Sequence, residues 1–84
     1  MTKQLFHFDA EHITRSKGVA LVRKLEDEGV EVEAAAMDPV FSEQFHMIVT
    51  ATQAEAEKIR DAVWFVNHGA CCDMSVTTKD TLDW

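Results

Sequence analysis

Basic residues are scarce in this chain: eight lysines and arginines face fifteen acids, a net charge of −7. That balance repels nucleic-acid phosphates and disfavours anionic membranes, so direct nucleic-acid binding is not expected. Glycine is equally sparse. Gly18, Gly29 and Gly69 stand alone, so there is no Gly-rich phosphate loop, and neither a G-x-S-x-G nor an H-E-x-x-H run occurs. The two cysteines, Cys71 and Cys72, are too few for a disulfide framework. As strand neighbours they would point to opposite faces, which makes free thiols of a reducing cytoplasm the expectation. No apolar run approaches the roughly 20 residues of a membrane span. The opening MTKQLFHFDAEH has an acid and two histidines where a signal peptide has an apolar stretch, so an intracellular location is expected.

What is present is alternation. Phe6 and Phe8 fall to one side of a first strand from Lys3 to Asp9, with Leu5, His7 and Asp9 on the other. Lys17 to Glu28 reads as a helix with an apolar stripe of Leu21, Val22 and Leu25, capped by Thr14 or Ser16 and stopped by Gly29. Gly18 costs that helix about 1 kcal/mol relative to alanine. A close approach to the sheet would explain its presence. Val30 to Ala36 alternates again, with Val30, Val32 and Ala34 against Glu31, Glu33 and Ala35, and Asp38-Pro39 brings turn chemistry.

The densest signals lie between Phe45 and Val76. A strand ends at Ala51, and T-Q-A-E from Thr52 is a capping box that opens a helix with Ala56, Ile59, Ala62, Val63 and Val66 on one stripe. Asn67, His68 and Gly69 are expected to end it, before a last strand from Ala70 to Val76. The order is strand, helix, strand, strand, helix, strand.

Two such units interleave into a ferredoxin-like α+β plait, one four-stranded sheet with both helices on one face, over residues 1–78 with a polar tail at 79–84. The first and third strands are expected to be central and parallel. Helix-facing positions include Phe6, Phe8, Val32, Met47, Met74 and Val76. The arrangement resembles small regulatory plaits, ACT-type ligand-binding modules among them, which implies small-molecule sensing as one function. That likeness is one of fold, and no functional residue follows from it.

The opposite, uncovered face would collect Leu5, His7, Asp9, Glu31, Glu33, His46, Ile48, Thr50, Cys71, Asp73 and Ser75. His7 and His46 become neighbours there, with Cys71 or Asp73 beside them. Two imidazoles and a thiolate or carboxylate suit zinc or a similar ion, or an enzymatic site. An ordinary polar sheet face is the simpler alternative. H-F-D-A-E-H divides between a strand and a connection, and a His68–Cys71 pair competes with a plain histidine at a helix end. Trp64, Phe41 and Trp84 fall outside the expected core, as anchors for a partner would. The reading that joins these features is a small acidic protein-binding module: a regulator, adaptor or inhibitor acting through the sheet face or an edge strand. It would act as a homodimer or on a partner with a basic surface. Glu31, Glu33, His46, Asp73, Trp64 and Phe41 would make the contact, and in a specific form the acids Glu31, Glu33, Glu43 and Asp73 would meet a basic groove as a nucleic-acid mimic does.

Overall fold

The computed structural model describes residues 2–66 and 72–82. Along it run β1 (Gln4–Glu11), α1 (Arg15–Asp27), β2 (Glu31–Met37), β3 (Gln44–Ala51), α2 (Gln53–Val66) and β4 (Cys72–Thr77). The elements expected from the sequence are all present, with ends moved by a few residues. The four strands form one sheet in the order β2-β3-β1-β4.

Every neighbouring pair in that sheet is antiparallel, β1 with β3 included. The expected parallel pairing of the two central strands is therefore wrong. Each helical crossover returns the chain in its original direction, whereas the short β2–β3 connection reverses it, so β3 has to oppose β1.

Local chemistry explains the helix boundaries. Thr14 caps α1 by accepting from the Lys17 amide, and Gly29, at φ +88, closes its other end with its amide on the Glu26 carbonyl. For α2 the capping box closes in both directions: the Glu55 amide donates to Thr52 Oγ1, and the Thr52 amide donates to the Glu55 carboxylate. Hydrogen bonds from the Thr52 amide first, and from its side chain next, hold the Glu55 carboxyl below its usual range. The residues expected to end α2, Asn67 to Gly69, lie outside the described residues.

Both helices feed one core. Leu21 and Leu25 from α1 join Ala56, Ile59 and Val63 from α2 over Phe6, Phe8, Phe45, Met47 and Val49 of the central strands. Ile13, in what reads as a polar connection, is also buried there, and its amide donates to the Glu43 carbonyl. Gly18 is required at a close approach: a Cβ at that position would lie 2.7 Å from the buried Phe45 ring.

Two assignments of side-chain direction change. A bulge between Val32 and Ala34 puts Ala35 opposite Met47 and Ala34 opposite Ile48, so the expected facing of Ala34 and Ala35 is exchanged. Val76 sits opposite Phe6, on the helix side as expected, yet it remains 61% exposed because it belongs to the outermost strand.

Candidate functional site

On the sheet face away from the core, the register sets His7 opposite Ile48 and Ser75, and Asp9 opposite His46 and Asp73. His7 and His46 are thus diagonal neighbours, as the alternation predicted. The face is not fully open. Ile48 and His46 are buried, at 2% and 6% exposure. The segment after β4 turns back so that Lys79, Thr81 and Leu82 line, with Thr77, His7, His46 and Ile48, a cavity of about 260 Å³.

The two imidazoles make one contact, His7 Nε2 to His46 Nδ1 at 3.0 Å. Their planes lie within 8° of each other and their centres are 5.2 Å apart. An imidazole nitrogen lies about 1.2 Å from its ring centre, given bond lengths of roughly 1.35 Å around a five-membered ring. Two such radii added to the N···N separation nearly reproduce the distance between centres. The rings therefore meet edge to edge along their lone-pair directions, in a nearly linear N–H···N hydrogen bond, and they do not converge on a third point as chelating ligands would.

The chain of bonds continues into the β2–β3 connection. His46 Nε2 lies 2.9 Å from Asp38 Oδ2, while Asp38 Oδ1 accepts the amides of Val40 and Phe41. Those bonds, from Phe41 first and Val40 next, hold the Asp38 carboxyl below its usual range. An ionised carboxylate only accepts, so His46 Nε2 carries a proton. When His46 is neutral, its Nδ1 accepts from His7 Nε2–H; when His46 is protonated, it donates to a neutral His7. The pair holds one proton with the contact intact, and a second would set N–H against N–H. Burial, followed by the charge on His46, lowers the His7 pKa against a smaller upward pull from Asp9. Asp9 lies 3.9 Å from His46 Nδ1 and is itself held by the Gln44 side-chain amide at 2.7 Å.

Asp38 is the member of this network that its sequence position did not announce as one. Its turn chemistry was legible, but the His46 contact arises only when the hairpin folds back across eight residues. Of the other candidate residues, Cys71, His68 and Trp84 lie outside the described residues. His46, expected as a partner contact and a ligand, is buried within the network. Glu31 pairs with Lys3 at 3.7 Å, and Glu33 accepts from Thr50. Phe41 and Trp64 are exposed, at 63% and 53%, while Glu43 and Asp73 are exposed acids on a loop and on β4. Among the described residues there is no cluster of three or more metal-ligating side chains, and no helix is long and apolar enough to cross a membrane.

No protein-family model, curated protein or solved structure matches the chain.

Proposed function

We propose that this chain is a ferredoxin-like plait acting as an acidic, cytoplasmic protein-binding module, and that its binding edge is β4 with the adjoining end of α2. The support is an asymmetry between the sheet's two edges. β2 is bulged and carries Glu31 and Glu33, devices that discourage strand addition. β4 pairs with β1 without a register shift and has no strand beyond it among the described residues. Val76 on β4 is exposed, as are Trp64 and Phe65 on α2, the helix that packs against β1, β3 and β4; Phe65 is 79% exposed.

An edge with no strand beyond it among the described residues, carrying the exposed Val76, suits pairing with another strand, with backbone bonds supplying affinity and side chains selectivity. A second copy is the simplest partner, since antiparallel pairing of β4 with its counterpart gives a two-fold interface. A basic protein is the other candidate, and salt separates the two. Repulsion between two copies of charge −7 is relieved by salt, so a homodimer tightens as salt rises, whereas attraction to a basic partner weakens. Covalent cross-linking of the purified chain in low and high salt tests this. More dimer at high salt in the wild type, absent in Val76→Lys, is the expected result; a monomer under both conditions would leave only the basic partner, and equal cross-linking in Val76→Lys would remove β4 from the interface.

A second reading rests on the Asp38–His46–His7 chain beside the 260 Å³ cavity. A hydrogen-bonded run from carboxylate through two imidazoles is suited to moving a proton to a small bound molecule. Under this reading, substitution of His7 and His46 abolishes a turnover that the binding reading does not require.

A further inference from the structure

A further cavity lies away from both of these features, between α1 and β2. It measures about 550 Å³, within the roughly 300–1,000 Å³ typical of small-molecule pockets. Its apolar wall comes from Val19, Val22, Met37 and Phe45, and Ala35, on the same face of β2, leaves it wide because it projects only a methyl group. Val19 is 46% exposed, so its side chain is accessible from the groove.

The charges at this cavity run against those of the whole chain. Of three arginines in a protein of net charge −7, two, Arg15 and Arg23, line it. Neither has an ion-pair partner among the described residues. They lie on one face of α1 with Val19 midway between them, and the first turn of the helix contains no acid to neutralise Arg15. Glu26 lies three residues beyond Arg23, so the negative end of a ligand belongs toward Arg15.

We infer that the groove between α1 and β2 binds a small organic anion, an apolar body resting on Val19, Met37 and Phe45 with its carboxylate held by Arg15. A guanidinium is suited to this, because its fixed fork of donors matches a carboxylate bidentately. The site is independent of the β4 edge and of the histidine pair, and its occupancy requires neither.

Calorimetric titration of the full chain with octanoate, octanol and octylammonium tests the assignment. Octanoate is expected to bind at least about tenfold more tightly than octanol, the scale of one charge-assisted contact. Arg15→Ala should remove most of that difference while leaving octanol unchanged. Ala35→Phe, at an exposed position that tolerates a larger side chain, should fill the groove and abolish binding of both, with circular dichroism confirming that each variant is folded. Equal affinity for octanoate and octanol, preference for octylammonium, undiminished binding in Ala35→Phe, or no binding of octanoate at all would each overturn the inference.

Discussion

At the scale of single residues the histidine pair is the feature most open to measurement. His7 has a pKa below the ordinary histidine value in the folded state, chiefly through burial. The unfolded chain therefore takes up a proton near pH 6.5 that the folded chain refuses until lower pH. Stability contributed by neutral His7 is complete above that value and is lost as pH falls through the folded pKa. Denaturant midpoints measured between about pH 7 and about pH 5 should fall more steeply for the wild type than for His7→Gln, which carries no titrating group. Parallel slopes would mean that His7 titrates alike in both states. Asp38 carries the same sign at lower pH: its depressed pKa contributes stability above the ordinary carboxylate range that is lost under acid conditions, so Asp38→Asn should flatten the acid limb of the same curve.

Gly18 belongs to the residue scale as well. Valine there would thrust its Cβ into the buried Phe45 ring, and overpacking of that kind costs about 2 kcal/mol, measured as a shift in urea midpoint at unchanged slope. A Gly18→Val variant as stable as the wild type would show that the ring can move aside.

At the scale of elements, what the sequence made legible was what local chemistry decides. The Thr52–Glu55 box was readable because each partner lies three residues from the other and its geometry depends on nothing else. Thr52→Ala should lower stability by about 1 kcal/mol, measured as a shift in urea midpoint at unchanged slope. The sense of β3 was within reach too, since a hairpin must reverse its chain, but alternation within a strand carries no direction and the parallel assignment was wrong. The bulge in β2 is not legible for a related reason: Ala34, Ala35 and Ala36 are identical, and three small residues offer no pattern by which a slipped register can be seen.

The candidate site was half legible. Alternation sent His7 and His46 to one face, but their contact with Asp38 spans the β2–β3 connection, and the covering of Ile48 beside a cavity lined by Lys79, Thr81 and Leu82 depends on how the chain turns after β4. Neither follows from the period of a strand.

At the scale of the whole molecule, the two edges of the sheet differ, and that difference carries the functional proposal. Every buried side-chain polar atom among the described residues has a hydrogen-bond partner, while Val76 on the unbulged β4, and Trp64 and Phe65 on α2, remain exposed. Sedimentation velocity across a concentration series at high salt weighs that proposal most directly. The wild-type chain should move from its 9.5 kDa monomer toward twice that mass as concentration rises, and a Val76→Lys, Phe65→Ser double variant should stay monomeric. A double variant that dimerises as readily as the wild type would contradict it.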